Sequence, residues 1–374
     1  MVLMIIHYLY GLMHSRELLF DKALNLESLS VEEALFLYHN SSIPELMNIA
    51  FSLRKIHIPG DFVGWQIDRN VNITNICFSQ CSFCNFCRKP KDPDTYITSF
   101  EEYEVKIGEL FEMGGDQLLL QGGMHPELGL DYYTDLFKGL KQRFPELKLH
   151  ALGPPEIVHL ARKESLTYGI VLKKLAEAGL DSLPGAGAEI LSDRVRKIVS
   201  PAKATSREWL DVMRIAHKMN LPTSATMMFG HIETIEERLQ HLALIREVQS
   251  EKPEGNNGFI SFIPWPFQDK GTRLAEKQGV RNSVNMIEYI RMVALSRIML
   301  PNIVNLQSSI LTTGKDTAIM TLYGGANDLG SVMIEENVVS AAGSSNMFNA
   351  EQLPMIIREA GFTPRLRNQK YEPL

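Results

Sequence analysis

Apolar residues recur three or four apart from about Ser15 to His57, through Leu18, Leu19, Ala23 and Leu24 and again through Ala34, Leu35, Leu37 and Leu46 to Ile49. That is the spacing of helices that each bury one face. Ser30 ahead of Val31-Glu32-Glu33 has the form of a capping box, in which the hydroxyl and the carboxylate three residues on each satisfy an orphan amide. The preceding run, Met1 to Met13, is apolar but carries His7, two tyrosines and no basic start, and it is too short to cross a bilayer. It reads as an extra or amphipathic first helix and not as a signal peptide. Residues 1–58 are therefore expected to form a small N-terminal helical cap.

After Pro59-Gly60 strand and helix patterns alternate. Val71 to Ile76, with β-branched residues on one side, reads as a first strand. Gln117 to Gln121, Leu147 to Leu152, Asp181 to Ala188, Pro222 to Phe229, Gly258 to Ile263, Ile303 to Ile310 and Asn327 to Met333 read as the next seven, the fourth being poor in bulky residues. Helices are predicted between them: one from about Phe100 to Gly114-Gly115, one capped by Asp131, one ending near Gly179, and one capped by Thr205 or Ser206 and followed by another to about Gln249. Three more are predicted over Val284 to Met299, Asp316 to Tyr323 and Ala350 to Ala360. Strand-helix units of roughly 30 residues predict an α/β fold, a (β/α)8 TIM-type barrel over residues 59–374. A doubly wound open sheet explains the alternation nearly as well, and the barrel is preferred on the count of units.

In a barrel, the site lies at the carboxyl ends of the strands. The polar and glycine-rich residues fall there: Gln121-Gly122-Gly123-Met124-His125-Pro126 after strand two, Gly185 to Glu189 after strand four, and Gly230-His231-Ile232-Glu233 after strand five. Trp265 follows strand six, Gln307 lies on strand seven, and Asn327-Asp328 opens the eighth unit.

Composition narrows the chemistry. A net charge of -6 and a pI near 6.0 argue against a broad basic surface for nucleic acid or anionic membrane, and favour a small-molecule substrate. All four cysteines, Cys77, Cys81, Cys84 and Cys87, lie in one short loop after strand one, where they cannot staple distant parts of the fold. Clustered thiolates imply a metal or redox centre in a reducing compartment, the cytoplasm. Zinc sites usually set two cysteine pairs apart, and the bacterial ferredoxin run has its gaps in the reverse order and uses a second cysteine set, which this chain lacks. Three cysteines at the Cys77, Cys81 and Cys84 spacing would leave one iron of a 4Fe-4S cluster free to bind a substrate or cofactor.

Cys-x-x-x-Cys-x-aromatic-Cys, with Phe83 as the aromatic, resembles the signature of the radical S-adenosylmethionine superfamily. The resemblance covers nearly the whole chain. Asp68-Arg69-Asn70, Gln121 to Pro126, Phe262 to Trp265, Gly325 to Asp328 and Met333 to Asn337 are similar to the menaquinone and deazaflavin branch, and most of all to its cyclic dehypoxanthine futalosine synthase family. It implies a 4Fe-4S cluster on Cys77, Cys81 and Cys84, with Cys87 a spare thiol or a competing ligand. It further implies S-adenosyl-L-methionine on the open iron, met by Phe83, Gly122, Gly123, Glu189 and Lys203. Read on their own, Glu189 is a helix-start carboxylate and Lys203 a surface charge. The substrate implied is dehypoxanthine futalosine, with His125, Trp265, Gln307 and Asn327 facing it, Trp265 stacking on its aryl ring. The electron donor implied is flavodoxin or ferredoxin. His231, Glu233 and Asp328 are of the types that move a proton and are the candidate catalytic residues. Glu335 and Glu336 add to the acids of the last unit.

Overall fold

The computed structural model describes residues 15–335, 337, 340–343 and 346–374, so the helix expected over Met1 to Met13 and the side chain of Glu336 lie outside the described residues. The first strand starts earlier than its alternation suggests. Phe62–Gln66 (β1) and Asp68–Asn72 (β2) form one run interrupted at Ile67, and the expected Val71 to Ile76 catches only its end. β2 pairs in parallel with Gln117–Gln121 (β3), Asp68 opposite Gln117 through Asn72 opposite Gln121. β3 pairs with Lys148–Ala151 (β4).

From β4 the ring continues through single bridges, His150 to Ser182 and Leu183 to Thr223. It then runs through Thr223–Phe229 (β5), Phe259–Pro266 (β6) and Asn305–Leu306 (β7), all parallel. A bridge from Gln307 to Asp328 reaches Asp328–Ser331 (β8), and β8 pairs with β1, Gly64 opposite Asp328. The order is that of a closed TIM-type barrel and not of an open sheet.

Three expectations need correction. Asp181 to Ala188 holds its place in the ring through Ser182 and Leu183 but forms no strand. Pro184 has no amide to donate, and Gly185 lies so close to β5 that a Cβ there would stand 2.5 Å from the Ser224 carbonyl oxygen. Asp131 does not cap its helix. The cap position is Gly129, and the Leu130 amide donates to Glu164 Oε1 at 3.2 Å instead. A further parallel strand, Thr363–Leu366 (β9), lies along the other edge of β1. Its proline hid it from a reading that demotes proline-containing runs.

The helices Arg16–Leu24, Val31–Asn40 and Ile43–His57 pack on one another and against the outer helices Ile235–Ser250, Met286–Met299 and Lys315–Tyr323. The capping box at Ser30 forms, with Glu33 N donating to Ser30 Oγ at 3.1 Å and Ser30 N to Glu33 Oε2 at 2.7 Å. Leu37, Leu46, Ala50 and Leu53 belong to the same buried core as the barrel strands. Arg54, fully buried, donates to the carbonyl oxygens of Ala326 at 3.0 Å and Phe62 at 2.7 Å, the one two residues before β8 and the other the first of β1. A buried guanidinium is tolerable because these fixed carbonyl dipoles replace water around it.

Candidate active site

The loop that carries the cysteines is closed by backbone bonds at its base: Cys77 N donates to Arg88 O at 3.0 Å, and Arg88 N to Asn75 O at 2.8 Å. Thr74 Oγ1 and Asn75 Nδ2 tie the strand end to the carbonyls of Tyr96 and Asp94. Farther along, Ser82 N reaches Val199 O at 2.8 Å, and Arg273 donates to the Gln80 and Cys81 carbonyls. Gln80 takes a left-handed φ of 45°, a strain that such a tied loop can hold. The four thiols are unpaired and line one side of a cavity of about 360 Å³ that runs down the barrel interior. Cys77 and Cys81 are buried, Cys84 and Cys87 half-buried.

Their surroundings differ. Burial pushes the Cys81 thiol up to about 11, partly offset by Lys203. Hydrogen bonding from Cys87 draws Cys84 down to about 6 and raises Cys87 itself.

The exit of β3 must lie against the base of this loop, and that requires the glycine pair. A Cβ on Gly123 would fall 2.2 Å from Ile76 O, and one on Gly122 2.9 Å from Thr74 O. Across the cavity Lys203 Nζ donates to Glu189 Oε1 at 2.8 Å and stands 5.4 Å from the centroid of the Phe83 ring. Burial alone would lower the Lys203 ammonium, but the Cys81 sulfur and the Glu189 carboxylate more than reverse it, so it stays charged. Glu189 is 5% exposed, has a φ of 41°, and keeps Oε2 without a hydrogen-bond partner among the described residues. Trp265 and Gln307 line the same cavity, the Gln307 amide lying over Gly330, where a Cβ would come within 2.4 Å of it.

The remaining expected residues are not brought to it. His231 Nδ1 accepts from Ile232 N at 2.8 Å and its Nε2 meets Met228 O at 3.1 Å, the pattern of a neutral ring fixed in one tautomer. Burial lowers its pKa. Glu233 is held by the amides of Gly230 and His231 and by Arg238 Nε at 2.7 Å, and so braces the turn between β5 and the helix that follows. Asp328 is clamped by Arg367, Nε to Oδ2 at 2.5 Å and Nη2 to Oδ1 at 2.8 Å. Asn327 is spent on Arg297, the Leu306 amide and Asn305. His125 turns its Nδ1 to the Glu127 amide at 3.1 Å. Glu335 is paired with Arg69 and Lys106.

The cavity has a second end that sequence reasoning missed. Gln66, Asp68 and Asn70 project into it from strand one, joined by His150, Ser261, Arg367, Gln369 and Tyr371. Asp68 accepts from Ser331 Oγ, and from Gln117 Nε2 at 3.4 Å, and its burial raises its pKa. Glu156, at the cysteine end, accepts from Gly153 N at 2.9 Å, and burial raises its pKa too. The alternation of Gln66, Asp68, Asn70 and Asn72 was the available signal, since a period of two puts these residues on one face.

These residues fit an iron-sulfur cluster with an organic cofactor beside it. The donor set is thiol only, and its members stand round a cavity wall. Among the described residues no three His, Cys, Asp or Glu side chains converge closely enough to hold a single ion. Next to the thiols lie a glycine cradle without side chains, a charged lysine and an unsatisfied carboxylate oxygen, which suit the carboxylate and amino groups of an amino acid.

The sequence agrees with known families. Residues 71–245 match the radical SAM superfamily, and residues 256–374 match the CofH/MqnC C-terminal region. The cyclic dehypoxanthine futalosine synthase of Streptomyces coelicolor is 38% identical, over 95% of this chain and 88% of that protein. The 5-amino-6-(D-ribitylamino)uracil–L-tyrosine 4-hydroxyphenyl transferase of Methanopyrus kandleri is 37% identical, over 86% of each. The crystal structure of methylornithine synthase superposes with a TM-score of 0.69 at 18% identity, over 92% of this chain and 97% of that one, a likeness of fold. An enzyme that works with a 4Fe-4S cluster and S-adenosylmethionine, the chain belongs to the radical SAM superfamily, in the branch that carries the CofH/MqnC C-terminal region.

Proposed function

We propose that the chain closes dehypoxanthine futalosine to cyclic dehypoxanthine futalosine on the futalosine route to menaquinone. The observation that carries this reading is the 38% identity to a synthase of that name along 95% of the chain. On this reading Cys77, Cys81 and Cys84 hold the cluster, leaving Cys87 as a spare thiol beside it. Gly122, Gly123, Phe83, Glu189 and Lys203 seat the cofactor, and Trp265 and Gln307 face the substrate. Bound together, the two cofactors supply one-electron chemistry able to remove a hydrogen atom from C4′ of the substrate ribose. The chain's own work is positional. A narrow cavity with Trp265 on its wall folds the ribose over the benzoate ring and excludes water and other hydrogen donors.

Ring closure ends with loss of one proton from the ring carbon and of one electron, for which the oxidised cluster held by the cysteines would be the acceptor. His231, Glu233 and Asp328 were the expected proton acceptors, but each is occupied away from the cavity. Asp68 is the carboxylate that remains at the substrate end, with Oδ2 held only by the long contact to Gln117. We assign it the proton. Flavodoxin or ferredoxin as the reductant, and the cytoplasm as the compartment, follow from the cluster's need for low-potential electrons and reduced thiols. Among the described residues no helix is long and apolar enough to cross a membrane.

The second reading is a sister reaction on another aromatic substrate, supported by the 37% identity to the hydroxyphenyl transferase. A non-catalytic electron carrier would have no use for the polar-floored cavity. Mass spectrometry of products from the anaerobically reconstituted, reduced protein separates these readings. Cyclic dehypoxanthine futalosine with deoxyadenosine supports the first. Deoxyadenosine released only with tyrosine and the ribitylamino-uracil substrate replaces it with the second.

A further inference from the structure

The last described residues enter the barrel from the end opposite the cysteines. β9 runs beside β1, and Arg367 N donates to Trp65 O at 3.0 Å. The chain then folds back on itself, Arg367 bridging antiparallel to Pro373 and Asn368 N donating to Glu372 O at 3.0 Å. Asn368 Oδ1 takes the amides of Lys370 and Glu372 at 2.9 and 3.0 Å, so the tip is fixed by its own hydrogen bonds. From this tip Gln369 reaches Gln117 on β3 at 3.0 Å and His150 on β4 at 3.4 Å. Arg367 lies 3.7 Å from the centroid of the Tyr371 ring, and Tyr371 takes a φ of 65°, a conformation that a side-chain-bearing residue holds only where its surroundings impose it.

The polar groups on this floor are sorted by charge. Both edges of Arg367 are used, on Asp328 and on Gln66 Oε1 at 2.8 Å, so its charge is neutralised in place. What faces the cavity unsatisfied is neutral. Gln66 Nε2 is a donor, Asn70 Oδ1 an acceptor and Tyr371 Oη both; the first two are buried without a hydrogen-bond partner among the described residues, and the third lies beside the Ser261 hydroxyl, which also lines the cavity. A carboxylate would find no open cation here and would meet Asp68. An uncharged group with several hydroxyls would find donors and acceptors both.

We propose that the hairpin Arg367–Pro373 is part of the substrate site, with Tyr371 Oη, Gln66 and Asn70 as the floor that hydrogen-bonds the hydroxyls of a sugar-like end of the substrate. This rests on the cyclase reading and adds which end of the substrate points down. The benzoate end then lies against Ile263, Trp265 and Leu329, farther up the wall.

The test uses the reconstituted holoenzyme and equilibrium binding of dehypoxanthine futalosine. Tyr371→Phe keeps the ring under Arg367 and removes only the hydroxyl. It is expected to weaken substrate binding about 2- to 12-fold, the range for one lost hydrogen bond to a neutral partner. S-adenosylmethionine affinity and the unfolding midpoint stay unchanged. An analogue lacking the ribose hydroxyl that Tyr371 meets should bind the two proteins alike, which a merely structural tyrosine would not produce. If Tyr371→Phe does not fold, the comparison of substrate with deoxy analogues on the unmutated enzyme reads the same contact. Equal affinity of both proteins for the substrate, or of the unmutated enzyme for the substrate and every deoxy analogue, overturns the proposal and leaves the cyclase reading intact. If the unmutated holoenzyme neither binds nor converts the substrate, the cyclase reading itself falls.

Discussion

Lys203 Nζ lies 2.8 Å from Glu189 Oε1, while the other oxygen of that carboxylate, 3.9 Å from Arg196, is buried without a hydrogen bond among the described residues. An ion pair with one acceptor left over can hold an ammonium group and present a cation to a carboxylate at once. Glu189→Gln keeps the shape and removes the charge. S-adenosylmethionine affinity is expected to fall about tenfold or more, as for a charge-assisted hydrogen bond, with substrate affinity little changed. Equilibrium dialysis of the reconstituted protein measures it.

The cysteine loop makes a sharper distinction. Cys77→Ala, Cys81→Ala and Cys84→Ala should each lose the visible absorbance of the cluster and all turnover, whereas Cys87→Ala should keep most of both. Iron and sulfide content after anaerobic reconstitution reads the outcome. Loss of the cluster in Cys87→Ala alone would reassign the ligands.

Asp328 and Arg367 are buried together, and removing one strands the charge of the other. Arg367→Leu is expected to cost about 3–5 kcal/mol in urea unfolding, and pairing it with Asp328→Asn to recover a large part of that. A double change as costly as the sum of the two would show that the pair has no coupling to lose.

Buried histidines set an acid limit on stability. Burial holds His150 and His241 down to about 3 and His217 to about 4. In the unfolded chain the same rings titrate near 6.5, so below that pH the unfolded state binds protons that the folded state refuses. Stability is then full above about pH 6.5 and falls as the pH drops toward 4. Urea midpoints across this window check the slope. His241→Asn should flatten it, because the His241 ring, whose Nδ1 accepts the Leu191 amide at 3.1 Å, cannot be protonated there without losing that bond.

The barrel was legible because eight apolar segments alternate with helical ones, and because the cysteines are concentrated in one loop. Ser30 announced its cap through a hydroxyl with a glutamate three residues on, and of the two caps offered for a later helix, Thr205 and Ser206, it is Thr205 that serves. What stayed hidden has physical reasons. β1 contains Gly64, which reads as a turn residue; in the fold it makes room for the Asp328 carboxylate, which a Cβ there would approach within 2.2 Å. The fourth strand shrinks to two bridged residues beside Pro184. The floor of the cavity is assembled from single polar residues in distant segments, Gln66, His150, Ser261 and Tyr371 among them, and only the strand register brings them together. His231 and Glu233 had the right chemistry at the right strand end, yet their hydrogen bonds are spent on the turn between β5 and the next helix, and on Arg238 of that helix.

β1 has one further property. Both of its neighbours, β8 and β9, come from the last part of the chain, and the contacts that close the seam join residues 263 and 301 positions apart, Asp68 to Ser331 and Gln66 to Arg367. During synthesis this strand waits with both edges unpaired while most of the protein is made. Closing so long a loop is entropically costly and late, and an unpaired edge invites pairing with other chains. In the finished fold Arg54, on the helix Ile43–His57, donates to the Phe62 carbonyl and so joins the start of β1 to a segment close to it in the chain. The last segments of the chain therefore decide when the ring closes, because until they are made β1 has no strand partner.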